Sequence, residues 1–198
     1  MDQIEDFIQC SHEVLRKLDR AALERVVEVL AATREGGGRL FCLGSGGGAG
    51  HASHAVCDFR KLCHFEAYCP TDNVSELTAR INDEGWAGSL AAWLRSSRLN
   101  KNDCLMIFSV GGGSQSPPVS ENLVQSVQLA RSVGAGVVGI VGRDGGFTAQ
   151  NSDACIVVPV VRDAWITPLT EGFQALLWHL LVSHPRLQKA SAKWESLV

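Results

Sequence analysis

Five short apolar runs constrain this chain more than any other feature. They are RLFCLG (39–44), FEAYC (65–69), CLMIFSV (104–110), AGVVGIVG (135–142) and ACIVVPVV (154–161). Each is continuous rather than alternating, the pattern of a strand buried on both faces of a parallel sheet. Helical segments separate most of them, at 47–63, 74–97, 118–133 and 145–151. The βαβα order predicts an α/β fold, a three-layer α/β/α sandwich around a five-stranded parallel sheet. Ser116-Pro117 reads as the N-cap and first residue of the helix after the third strand. Thr167-Pro168 reads the same way for the last long helix, which runs to His184 and is stopped by Pro185.

Ahead of the first strand, residues 2–33 carry Ile4, Phe7, Ile8, Val14, Leu15, Leu18, Leu23, Val26, Val27 and Leu30 at helical spacing. One long helix is expected, ended by Gly36-Gly37-Gly38. Its apolar face exceeds what a single domain needs to cover, so packing on a partner subunit is expected. No internal repeat, linker or low-complexity stretch divides the chain. One domain over 1–198 is expected, with a helical arm at 1–36 and an α/β core at 37–198.

Composition narrows the class. Hydrophobic residues make up 45% of the 198 and charged residues 20%, a globular balance with a core of useful size. The net charge of −3 and the lack of a long basic run disfavour a nucleic-acid-binding face. The start, MDQIEDFIQC, is acidic and does not fit a secretory signal. The apolar runs are too short to span a bilayer. A soluble cytoplasmic protein is expected. Seven cysteines, an odd number with no CxxC pair, fit neither a disulfide framework nor a zinc finger. Cys42, Cys104 and Cys155 lie in apolar runs and read as small buried hydrophobes.

Two glycine-rich turns follow strands and open helices. The first, GSGGGA (44–49), satisfies G-x-G-x-x-A, and Glu66 stands twenty residues after Gly46, where a dinucleotide site places a ribose-binding acid. An NAD-dependent oxidoreductase is therefore one reading. The second, SVGGGSQSPP (109–118), brackets three glycines with Ser109 and Ser114. It can form a nest of backbone N–H groups with hydroxyls beside it, and it has no lysine, so it is not a Walker loop. Two such turns side by side at a topological switch point suit a small phosphorylated ligand better than a dinucleotide.

Ionisable residues recur at helical spacing. His54 and Asp58 are four apart on the helix opened by the first turn, on one face. Glu171 and His179 are eight apart on the last helix, about 80° around its axis. His12, His51, His64 and His184 have no such partner, although His51 lies near the first turn.

On these residues the chain resembles the sugar-isomerase (SIS) domain family, and within it the bacterial phosphoheptose isomerases. The resemblance runs through the helical arm, GSGGGAGHASHAVCDF (44–59), TDNVSELTARINDEGW (71–86), the serine–glycine loop, GIVGRDGG (139–146) and TEGFQALLWHLL (170–181). It implies a flavodoxin-like SIS fold, zinc, an assembly of four (or two) chains, and heptose supply for surface polysaccharide. The family's first helix carries a His and a Glu four residues on, and its last a Gln and a His eight residues on. These bind zinc and include the acid and base of the isomerisation. Carried over, the metal ligands are His54, Asp58, Glu171 and His179, with Asp58 as base and His179 as acid. The phosphate falls to Ser45, Gly46, Gly47, Ser109, Gly111, Gly112, Gly113 and Ser114. Thr71, Asp72, Asn82 and Asp83 are polar residues at element ends that reach sugar hydroxyls or cap helices. The chain departs from the family pattern at Asp58 for Glu, Glu171 for Gln, Ser45 for Asn, and SVGGGS for STSGNS. Some members of the family are non-catalytic sensors or adaptors, which is the other reading the resemblance brings.

Overall fold

The computed structural model describes residues 2–191 and 193; the outer limits drawn at 1 and 198 lie outside the described residues. The arm is α1 (Gln3–Lys17) and α2 (Arg20–Glu35). The core runs β1 (Leu40–Gly44), α3 (Gly47–Cys63), β2 (Ala67–Tyr68), α4 (Val74–Ser96) and β3 (Cys104–Ser109). A small hairpin, β4 (Ser114–Gln115) and β5 (Pro118–Val119), precedes α5 (Glu121–Val133). β6 (Gly136–Val141), α6 (Gly146–Gln150), β7 (Ala154–Val157) and α7 (Ile166–Val182) complete the chain. The main sheet is parallel throughout, in the order β2-β1-β3-β6-β7. The sandwich expected from the apolar runs is the one observed.

The continuous runs are continuous because both faces are covered. Leu40, Cys42, Cys104, Met106 and Phe108 pack under α2, α3 and α7 with Val138 and Ile140. The alternate residues Phe41, Leu43, Leu105, Ile107 and Val137 pack with Leu90, Leu94, Leu123 and Val127 of α4 and α5. Cys42 and Cys104 are buried as expected, while Cys155 is only partly covered. At the end of the sheet away from the glycine turns, Asp103 is 3% exposed and accepts from Arg39 N, Nε and Nη2 and from Asn100 N and Nδ2. This ties the starts of β1 and β3 together.

Three local expectations are corrected. The arm is two helices, not one, because Leu18 is extended (ψ 131) and the Asp19 carboxylate accepts from the N–H groups of Ala21 and Ala22, starting a new helix. Ser116-Pro117 does not cap a helix. It forms the turn of the β4–β5 hairpin, where a missing proline N–H costs no ladder bond, and α5 begins only at Glu121 after a left-handed Ser120. Thr167 and Pro168 are the second and third residues of α7, which Ile166 opens after a 3-10 turn at Asp163–Trp165. Proline is tolerated there because the first-turn N–H groups have no helical partner. The same helix stops at Val182, two residues before the expected end.

The arm lies on its own core through one face. Cys10 and Val14 are buried, Phe7 meets the Trp165 ring edge-on, and Asp6 accepts from Trp165 Nε1 and pairs with Arg162. Its other face exposes Ile4, Ile8 and Leu15. Leu176 and Leu180 of α7 are about half exposed as well. Among the described residues, no helix is long and apolar enough to cross a membrane.

Candidate functional site

β1 and β3 are neighbours whose crossovers leave the sheet in opposite directions, so their following loops sit side by side at the switch point. They wall a cleft of about 790 Å³ lined by Ser45, Gly48, Ser109, Gly111, Gly113, Ser114, the hairpin residue Gln115, Arg143, Asp144, Thr167 and Glu171.

The second loop is shaped by backbone that only glycine adopts at ease. Gly112 and Gly113 have φ of 71° and 81°, and a Cβ on Gly112 would run into the Gly145 carbonyl. The loop is braced from outside: Gly112 O accepts from Thr148 N and Oγ1, and Gly113 O from Phe147 N. The three serines share one arrangement. Ser109 Oγ accepts from Gly112 N at 3.0 Å, Ser114 Oγ from Ser116 N at 3.2 Å, and Ser45 Oγ from Asn122 Nδ2 at 3.1 Å. A hydroxyl has one hydrogen, and each of these already accepts from the protein, so each O–H is left to donate. Three O–H donors and a glycine nest around one space have the chemistry to hold an anion.

Asn122 is fully buried and ties the two loops together, since it is the second residue of α5 while Ser45 belongs to the first turn. Sequence reasoning missed it. It also missed Arg143, in the left-handed region (φ 53°) on the cleft rim. The signal for both was position alone, a polar residue at the start of a crossover helix and a cation in a loop after a buried strand.

A second group lies where α3 packs on α7. Ligand atoms of His54, Asp58 and His179 fall within 4.8 Å of one another, and His179 Nε2 is 3.9 Å from Asp58 Oδ2. Helical spacing places His54 and Asp58 on one face as expected. The His179 ring stacks on the buried Trp178 indole at 3.5 Å, and His54 meets the same indole edge-on at 4.7 Å. His179 Nδ1 lies 2.7 Å from Ala175 O. A carbonyl only accepts, so Nδ1 carries the hydrogen, and in the neutral ring Nε2 turns its lone pair toward Asp58. Two imidazoles and a carboxylate at this range are a donor set that fits one metal ion.

Glu171 stands outside this group. Its Oε1 would lie 2.5 Å from a Cβ on Gly47, so its carboxylate rests against the first glycine turn, beside His51. Burial pushes His51 below the usual imidazole value, against the opposing pull of Glu171. The remaining expected contacts lie away from the cleft. Thr71 Oγ1 meets Cys69 Sγ, Asp72 is exposed, and Asn82 donates to Asp83 on the exposed face of α4. Asn73, not Asp72, caps α4. Gly46 and Gly47 form the start of α3, next to the cleft wall. Glu66, the acid of the dinucleotide reading, is exposed and accepts from Tyr68. Burial raises Cys63 and Cys69 to about 11 and Cys104 and Cys155 to about 12, so none of these thiols offers a nucleophile near neutral pH.

Comparison with known proteins follows the same lines. Residues 5–142 match the SIS domain. The lincomycin biosynthesis protein LmbN of Streptomyces lincolnensis is 34% identical over 168 residues, covering 79% of this chain and 59% of LmbN. The chain thus spans a little over half of that relative. A phosphoheptose isomerase of Rhodospirillum rubrum is 29% identical, with 91% of this chain and 94% of that protein covered. Among solved structures, the phosphoheptose isomerase GmhA from Neisseria gonorrhoeae superposes with a TM-score of 0.77 at 24% identity, covering 90% of this chain and 92% of that one.

Proposed function

The chain belongs to the SIS-domain family, and on that premise we propose that it is a phosphosugar isomerase, converting sedoheptulose 7-phosphate to an aldose heptose 7-phosphate. The observation that carries this reading is a cleft walled in part by Gly48 of α3 and Thr167 and Glu171 of α7, the same two helices that bring His54, Asp58 and His179 together further along. The phosphate falls to the Ser45, Ser109 and Ser114 hydroxyls and to Gly46, Gly47, Gly111, Gly112 and Gly113, with Gly112 shaping the loop while its own N–H is spent on Ser109 Oγ. Thr71, Asp72, Asn82 and Asp83 are proposed to meet sugar hydroxyls of a substrate bound at a subunit boundary, since they do not line the cleft of their own chain.

Aldose–ketose isomerisation moves a proton between C1 and C2 through an enediolate. Asp58 takes the carbon-bound proton. His179, its ring held by the Ala175 carbonyl and the Trp178 face, has only Nε2 left to act, and passes a proton between the two oxygens when that nitrogen stands beside the metal rather than on it. The Asp58 side chain is mostly buried, 17% exposed, while His54 and His179 are exposed. Zinc is the proposed metal: His54, Asp58 and His179 would hold it, His179 only through an unprotonated Nε2, and Glu171 would be the fourth donor if its carboxylate left Gly47. When bound, it supplies Lewis-acid stabilisation of the charge on the substrate oxygens. The acid–base pair favours an enzyme over a non-catalytic sensor or adaptor, and the second anion loop favours a sugar phosphate over NAD.

The exposed apolar faces of α1 and α7 support a homotetramer or homodimer. A cytoplasmic setting, with the product feeding surface polysaccharide, follows from the family. Incubation with sedoheptulose 7-phosphate should yield the aldose isomer, and Asp58→Asn should cut kcat by about 10²- to 10⁴-fold while leaving the melting temperature near wild type. Failure of the wild-type protein to turn over any phosphorylated ketose would remove the isomerase reading, and an active Asp58→Asn would remove the base assignment.

A further inference from the structure

The anion cleft has two charged ends. Glu171 lies at the Gly47 end, and Arg143 lies at the Gly111 end, where a Cβ on Gly111 would sit 3.6 Å from Arg143 Cδ and 4.0 Å from Nε. Arg143 is the one lysine or arginine among the described residues that line the cleft. It enters none of the ion pairs among the described residues. The adjacent Asp144 is engaged elsewhere, accepting from Gly146 N at 3.2 Å. An unpaired guanidinium beside a nest of backbone N–H groups is matched to a phosphate, whose oxygens it can grip in pairs.

The loop beneath it supplies the reason. Between Ser109 and Ser114 the loop carries only Val110 and three glycines. Here the side-chain donors of the loop itself are Ser109 and Ser114. The stem of Arg143 lies over Gly111, on ground that a side chain at 111 would reach. The residue does so from a left-handed backbone (φ 53°) that L-residues seldom adopt, in a segment where Gly145 and Gly146 also have positive φ.

We infer that Arg143 is the phosphate-binding cation of this cleft, adding charge to a loop whose own side-chain donors are Ser109 and Ser114. The inference rests on the sugar-phosphate reading of the site. It makes Arg143 a specificity residue: it favours a dianionic phosphate ester over an uncharged sugar, and it sets the phosphate at the Gly111 end with the sugar pointing toward Glu171.

Calorimetric binding of inorganic phosphate, sedoheptulose 7-phosphate and unphosphorylated sedoheptulose to wild type, Arg143→Lys and Arg143→Ala tests this. Arg143 is exposed, so both variants should keep the fold, which a melting curve checks. The expected result is that Arg143→Ala binds both phosphate compounds about 10- to 100-fold more weakly, with Arg143→Lys in between. The wild-type affinity should fall with added salt more steeply than that of Arg143→Ala. Wild-type affinity for phosphate in Arg143→Ala overturns the inference and leaves the isomerase reading standing. Tight phosphate binding by wild type without turnover of any ketose phosphate overturns the isomerase reading alone. No binding of either phosphate compound by wild type overturns both.

Discussion

The cleft and the His54/Asp58/His179 group are served by the same two helices, but they are finished to different degrees. At the cleft, Ser109, Gly112 and Gly113 are buried, and the Ser45, Ser109 and Ser114 hydroxyls each accept from a protein donor. At the other group, His54 and His179 are exposed, and Leu176 and Leu180 flank His179 on an uncovered apolar stripe. Contiguous exposed apolar surface marks a contact site. The phosphate end is thus complete within one chain, whereas the chemistry end has the character of a surface that another subunit closes. On the proposed reading, phosphate recognition and reaction are separable in this fold, and the second is the one that calls for assembly.

Three substitutions press on that contrast. His54→Ala removes one donor of three and should weaken zinc binding by more than about 100-fold, a larger loss than typical for an outer partner of a metal ligand. Elemental analysis should find close to no zinc, while phosphate affinity at the cleft stays at the wild-type value. Loss of both together would show that the two regions are one unit. Gly112→Ala should do the reverse. It forces a side chain into the Gly145 carbonyl at φ 71° and should cost about 2 kcal/mol or more in urea unfolding, with phosphate affinity lost and zinc retained if the fold survives. Leu180→Lys should have the smallest effect, weakening subunit association about tenfold, as expected for about 1.5 kcal/mol of apolar burial lost at one leucine. Light scattering on dilution reads it, and an unchanged mass at all concentrations would leave the chemistry end as a free surface.

The sequence carried the sheet well because burial on both faces writes itself as uninterrupted apolar runs. Helix α3 was legible to the residue, since a glycine turn opens it and His64 in a left-handed conformation closes it. What was not legible depends on geometry in three dimensions. The break at Leu18–Asp19 hides because apolar spacing continues across it, both arm helices facing one core. The Ser116-Pro117 pair looks like a cap, but its place in a hairpin is set by Val119 pairing back to Ser114. For the site, angular position on α7 joined Glu171 to His179, yet eight residues also separate them by about 12 Å along the axis. The angle puts them on one side, while the Glu171 carboxylate rests at the glycine turn. Asp58 and His54, one turn apart, escape that problem and meet as their spacing says.

The Asn122–Ser45 bond joins loops that belong to separate βα crossovers. A side chain of fixed length therefore acts as a caliper on the mouth of the cleft. The first turn and the start of α5 cannot move apart without pulling a buried amide off its hydroxyl, so that bond sets the width of the cleft mouth. A variant with a longer amide at that position, Asn122→Gln, changes the aperture and leaves the donors as they are.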